Sequence, residues 1–135
     1  MANLVNVEGI GKKHSATIEK KAGIKTTGKY LEAGKTPKGR KELEKLTGIS
    51  GKLILKWINR VDLLRVKGVG EEYADLLEVS GVDSVPELKQ RKAENLHTKM
   101  LEVNAKKKLV RRPPALAAVK KWIAEAKKLP RVVKY

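Results

Sequence analysis

Two short glycine turns carry the residues best suited to bind something. Gly9-Ile10-Gly11 and Gly68-Val69-Gly70 each hold one apolar residue between two glycines, ahead of a helix-forming stretch. Glycines allow a tight turn and close backbone approach. The apolar residue turns into the core and locks the hairpin. The first amides of the following helix lack intrahelical partners and point outward. Such a turn is a nest for a phosphate oxygen, aided by the helix dipole. It grips phosphate rather than base edges, so the binding it predicts is independent of nucleotide sequence. Lys12 and Lys13 follow Gly11 and suit phosphate, whereas Glu71 and Glu72 follow Gly70 and repel it. The second turn is therefore expected to be structural. A single Gly-x-Gly is more often only a turn, and it is the recurrence in register that gives the motif weight.

The charge is local. The chain has 135 residues, 31 Lys+Arg and 15 Asp+Glu, a net of +16. Residues 1–35 carry +4, residues 36–65 carry +5, residues 66–98 carry −3 and residues 99–135 carry +10. The densest run is Lys106-Lys107-Lys108 with Arg111-Arg112, followed by Lys120 and Lys121; Lys38, Arg40 and Lys41 form a smaller cluster. A lysine-rich face by itself is often only a solvated surface. A surplus this large and this concentrated points to a polyanion, bound by release of its condensed counterions. Few aromatics are present, and Trp57 and Trp122 fall on apolar faces, which disfavours a base-stacking platform. Duplex DNA or structured RNA fits better. The acidic 66–98 segment could instead dock on a protein partner or on the basic region of a second copy.

Other chemistry is nearly present. Gly23-Ile24-Lys25-Thr26-Thr27-Gly28-Lys29 has the spacing of a nucleotide-phosphate loop but ends on Tyr30 instead of a hydroxyl that could hold magnesium. The stretch from Gly28 to Gly34-Lys35-Thr36 has the hydroxyl but one residue too many. Neither follows a buried strand, and both are read as coincidence. Glu71, Asp75 and Glu78 share one helix face and could hold a divalent ion in a nuclease, but a solvated acidic face, or a docking surface for the basic segments, is the simpler account. His14 and His97 stand in different halves, and no nucleophile–base pair emerges. The expectation is a protein with no catalytic residues, no metal and no cofactor.

These groups must be placed by helices. Leu53, Ile54, Trp57, Ile58, Val61 and Leu64 share one face between Lys52 and Leu64. Leu116, Val119, Trp122, Ile123, Ala126 and Leu129 do the same between Pro114 and Leu129. Ser84 with Glu87, Thr36 before Pro37, and Ser50 are helix-start signals. No alternating run suits a sheet, so the fold is expected to be all-α. Cysteine is absent, which removes disulfides and thiolate metal sites. With 41% apolar residues a core can form, and it must be aliphatic, because there is no Phe. No apolar stretch reaches membrane-spanning length, and Met1 to Gly11 lacks the regions of a signal peptide. A cytoplasmic protein is expected, free or associated with nucleoid or ribonucleoprotein.

The chain also repeats itself. Val7-Glu8-Gly9-Ile10-Gly11 recurs as Val66-Lys67-Gly68-Val69-Gly70, and Lys56-Trp57-Ile58 recurs as Lys121-Trp122-Ile123. His14 occupies the place of Tyr73, which points to a packing or surface position rather than catalysis. Two related halves, 1–65 and 66–135, are expected to pack as one compact unit, with the second half enlarged around Lys106 to Pro114.

Gly9-Ile10-Gly11 with Ser15 and Ile18, and Gly68-Val69-Gly70 with Ala74 and Leu77, resemble the helix-hairpin-helix motif. Gly48-Ile49-Ser50 is a looser third copy. Leu63 to Tyr73, Glu94 to His97 and Lys108 to Pro113 resemble the bacterial domain family of unknown function DUF4332 over most of the chain. The resemblance implies tandem helix-hairpin-helix folding and DNA or RNA binding. It also implies that Gly9, Ile10 and Gly11 grip phosphate without reading sequence, in some relatives with a monovalent cation on the hairpin carbonyls. A basic component of a ribosome-associated particle is a related option.

Overall fold

Leu4, Val7 and Ile10 recur every third residue, the period of a tight 3-10 turn. In the computed structural model, which describes residues 3–7 and 9–135, Leu4–Asn6 forms that turn. The Val7 N–H donates to Leu4 C=O (3.0 Å) and the Ile10 N–H to Val7 C=O (3.2 Å). All three side chains are buried. Glu8 of the first repeat lies outside the described residues. Leu63, Val66 and Val69 repeat the arrangement, with bonds of 3.1 Å at both steps and three buried side chains.

Eight α-helices follow this pattern of local signals: α1 (Gly11–Ala22), α2 (Thr27–Gly34), α3 (Pro37–Thr47), α4 (Gly51–Leu63), α5 (Glu71–Val79), α6 (Val85–Gln90), α7 (Ala93–Lys107) and α8 (Leu116–Lys128). No strand occurs among the described residues, so the protein is all-helical. The start signals act as side-chain caps. Thr36 accepts from the Gly39 N–H (3.0 Å), Ser84 from Glu87 (3.3 Å) and Ser50 from Leu53 (3.3 Å). Gly23 and Gly48 end α1 and α3 in the left-handed conformation, where a side chain would be strained. The segment that mimics a nucleotide-phosphate loop is this Gly23 stop followed by the Thr26-capped start of α2. No helix among the described residues is long and apolar enough to cross a membrane.

Contacts divide the chain into two compact units: Met1–Asp62 with Arg131–Tyr135, and Leu63–Pro130. In the first, α1 packs on the 3-10 turn and on α3, and α2 packs on α3. Its core includes Ile18, Tyr30, Leu43, Trp57, Ile58 and Val133. In the second, α6 and α7 pack on α8, and α5 on α7. Its core includes Ala74, Leu77, Leu88, Met100, Trp122 and Ile123.

The last five residues belong to the first unit, although the sequence division leaves them in the second half. Val133 is 1% exposed there, and the Lys134 N–H donates to Lys35 C=O (2.7 Å). Leu53, assigned by periodicity to the apolar face of α4, is 38% exposed.

Tyr30 is fully buried and its hydroxyl donates to Ile54 C=O (3.1 Å). Burial raises its pKa far above the usual tyrosine value. Below about pH 10 both folded and unfolded chains keep the phenol protonated. Above it only the unfolded chain ionises, so stability falls as pH rises. Urea midpoints measured at about pH 8 and about pH 11 should drop for the native protein, and the drop should shrink in Tyr30→Phe.

Candidate nucleic-acid interface

The first glycine turn is built as its glycines require. Gly9 lies at φ +93° and Gly11 at φ +72°. Ile10 is 2% exposed and serves as the N-cap of α1, with no side-chain cap and no acid in the first turn. Gly11, Lys12 and Lys13 are exposed. His14 Nδ1 donates to Ile10 C=O (3.1 Å), and its ring lies 4.9 Å from Trp57. The start of α1 therefore presents amides, a positive dipole end and two lysines to solvent, with no carboxylate of its own turn beside them.

The second glycine turn shares this frame up to its last residue, where Gly70 lies at φ −92° against +72° for Gly11. Gly68 lies at φ +92°, Val69 is buried, and the Tyr73 ring lies 5.2 Å from Trp122. A Cβ on Gly9 would meet Trp57 Nε1 at 3.9 Å, and one on Gly68 would meet Trp122 Nε1 at 3.0 Å. Its helix start differs as the sequence indicates, because Glu71 and Glu72 occupy the first turn of α5. Gly70 is the N-cap of α5 and is exposed. At the third turn the amides are already taken by local groups. Glu44 Oε2 accepts from the Gly51 N–H, Thr47 Oγ1 from Ile49 (3.2 Å) and Ser50 Oγ from Leu53. Gly48, Ile49 and Ser50 thus join two helices with the Ile49, Gly51 and Leu53 amides engaged locally.

The basic segment is a braced loop. Lys106 and Lys107 end α7, and Lys108 follows at φ 51°, the one non-glycine with positive φ among the described residues. Buried Asn104 holds both sides of Val110: its Oδ1 accepts from the Val110 N–H (3.0 Å) and its Nδ2 donates to Val110 C=O (3.1 Å). The Tyr73 hydroxyl donates to Arg112 C=O (3.1 Å), and His97 Nε2 donates to Pro114 C=O (2.9 Å). Three side chains from α5 and α7 thus fix the backbone, while Lys106, Lys107, Lys108, Arg111 and Arg112 stay exposed. A cleft of about 580 Å³ opens here, lined by Lys108, Arg111 and Glu72 among others.

On α8, Lys120 and Lys121 are exposed. Lys120 lies 3.8 Å from Glu94, a pair too exposed to count for much. A second cleft, of about 590 Å³, lies beside Gly68 and is lined by Tyr73, Trp122, Lys67, Lys121, Lys128 and Glu125 among others.

Arg40 does not belong with the surface cations. It is 8% exposed, and its guanidinium donates to Gly34 C=O (2.9 Å) and Lys134 C=O (2.7 Å). Lys38 and Lys41 remain exposed on α3, so the expected three-residue cluster is reduced to two. Helical periodicity could not separate these neighbours, because the partner of Arg40 is the far end of the chain.

Sequence reasoning also missed Asn104, Tyr73, His97, Lys67 and Lys128 as parts of the site. A polar Asn inside a helix is a weak signal of such bracing. Among the described residues, no group of three or more His, Cys, Asp or Glu could hold a metal ion. Glu71, Asp75 and Glu78 each engage another group.

Replacing Asn104 by Ala should unlatch the loop. It removes two bonds to Val110 and leaves a buried N–H and C=O unpaired, a cost of about 2–3 kcal/mol. Hydrogen exchange at Val110 should accelerate although no charge has changed.

Residues 8–129 match the model of a domain of unknown function, DUF4332. No curated protein and no solved structure matches the chain.

Proposed function

The chain belongs to the DUF4332 family, and from that premise we propose that it is a non-catalytic protein that binds DNA or structured RNA through phosphates, largely without regard to sequence, using tandem helix-hairpin-helix repeats. The observation that carries this reading is the braced loop 108–114. Asn104, Tyr73 and His97 spend their hydrogen bonds on its backbone, and the five cations around it are left to solvent. Holding cations in place reduces the ordering entropy lost when a rigid polyanion docks.

The repeat reading is supported by the hairpins themselves. Both carry the same pair of 3-10 hydrogen bonds, a glycine near φ +92°, and a buried Trp whose indole nitrogen faces that glycine. Each unit is net basic, the first with 16 basic and 6 acidic residues and the second with 15 and 9. The start of α1 supplies an amide nest flanked by Lys12 and Lys13 in one unit, and the loop with α8 supplies the main cationic surface of the other. Lys and Arg displace condensed cations from the phosphate backbone, and that release supplies the free energy.

Labelled duplex DNA and a structured RNA titrated at about 50 mM and about 200 mM salt test this. Both should bind at low salt, and affinity should fall by orders of magnitude at high salt. Absence of binding at low salt overturns the reading.

A further inference from the structure

The cleft beside Gly68 has a composition that phosphate binding alone does not call for. Its wall on α8 is made by Ala118, Lys121, Trp122, Ala124, Glu125 and Lys128, all on one helical face at three- and four-residue spacing. Its other wall is the Gly68 turn with Lys67 and Tyr73. The comparably sized cleft at Lys108 and Arg111 has no aromatic lining.

We propose that this cleft receives one unpaired nucleotide of a bound strand, its base against the ring of Tyr73 and its flanking phosphates on Lys67, Lys121 and Lys128. This rests on the reading of the protein as a nucleic-acid binder and names the part of the strand that this site takes. Each component of a nucleotide has a counterpart in the lining. Among the described residues none of the three lysines makes an ion pair, so their charge is available to phosphate. Tyr73 is half-buried, fixed at its hydroxyl by Arg112 C=O and at its ring by Trp122, so it is a preorganised surface for a planar base. Glu125 is an acceptor for a sugar hydroxyl or an exocyclic amine. The volume of about 590 Å³ falls in the usual range for small-molecule sites, about 300–1,000 Å³. Trp122 lines the cleft but is 3% exposed, so it stays an apolar-face residue that supports Tyr73, which is only half-buried. Bases paired within a duplex are stacked and out of reach, so the site selects ends, bulges and loops.

Fluorescence anisotropy with three probes tests the assignment: a blunt duplex, the same duplex with a short unpaired overhang, and adenosine monophosphate as competitor. The overhang should raise affinity about tenfold, the effect of stacking one base. Ala124→Trp, which fills the cleft from its exposed rim, should bring the overhang affinity down to that of the blunt duplex. Lys67→Gln, on an exposed turn, should reduce the overhang preference as a second variant that does not disturb a helix. Circular dichroism establishes that both variants fold. Equal affinity for the two duplexes, or a preference that survives both variants, overturns this proposal and leaves the broader one standing. Failure of both duplexes to bind at low salt overturns both. Competition by adenosine monophosphate as strong as that by the overhang duplex overturns the assignment to a strand.

Discussion

Arg40→Ala should lower the stability of the first unit by about 2–4 kcal/mol, a large fraction of what a small domain has. The guanidinium is buried and bridges two backbone carbonyls, Gly34 at the end of α2 and Lys134 in the C-terminal segment. Truncation removes two charge-assisted bonds and strands the carbonyls. Arg40→Lys should recover only part of the loss, because one ammonium cannot reproduce a planar fork reaching two separate acceptors. Burial lowers the pKa of the guanidinium, partly offset by Tyr135, yet arginine stays protonated at neutral pH. Urea denaturation measures the effect, with Lys41→Ala, exposed one residue later, as a control expected within about 0.5 kcal/mol of the native protein.

A double-mutant cycle isolates the clasp. In a chain lacking residues 131–135 the partner Lys134 is already gone, so Arg40→Ala should cost less than in the full chain. Equal costs in both backgrounds would show that the bond to the C-terminal segment contributes nothing.

The second large effect concerns binding. Changing Lys107, Lys108, Arg111 and Arg112 together to Gln should reduce duplex affinity uniformly across sequences and lower the slope of log affinity against log salt by about three to four, roughly 0.9 for each phosphate no longer neutralised. All four are exposed, and the bonds that hold the loop come from other side chains, so thermal stability should change little. Arg40→Ala provides the contrast. It removes a cation from the same sequence census but not from the surface, so the salt slope should not change. A slope that falls equally in both would mean that total charge, not the loop, governs binding.

The residues that the sequence exposed most clearly act within one turn of themselves. Thr36 and Ser84 cap helices because each accepts from an amide three residues on. Gly9 and Gly68 mark tight turns because their φ values favour glycine. Ile10 and Val69, each flanked by two turn glycines, are buried. The site was legible only in part. The exposed cations of the 106–112 segment are evident from charge density, whereas Tyr73, read as a packing or surface residue, carried no sign that its hydroxyl would hold Arg112 C=O across 39 positions.

By itself, then, the sequence determined the all-helical class, the caps, the glycine turns and the concentration of charge, since periodicity, capping and composition are properties of a few consecutive residues. Tertiary structure alone decided that Arg40 is a buried clasp while Lys38 and Lys41 face water, that Arg131–Tyr135 close the first unit, and that Asn104, His97 and Tyr73 stiffen the basic loop. A cation's role depends on which carbonyl reaches it, and the carbonyl of Lys134 is 94 residues from Arg40. No local pattern encodes a partner at that distance; it becomes fixed only when burying the aliphatic cores brings the two segments together.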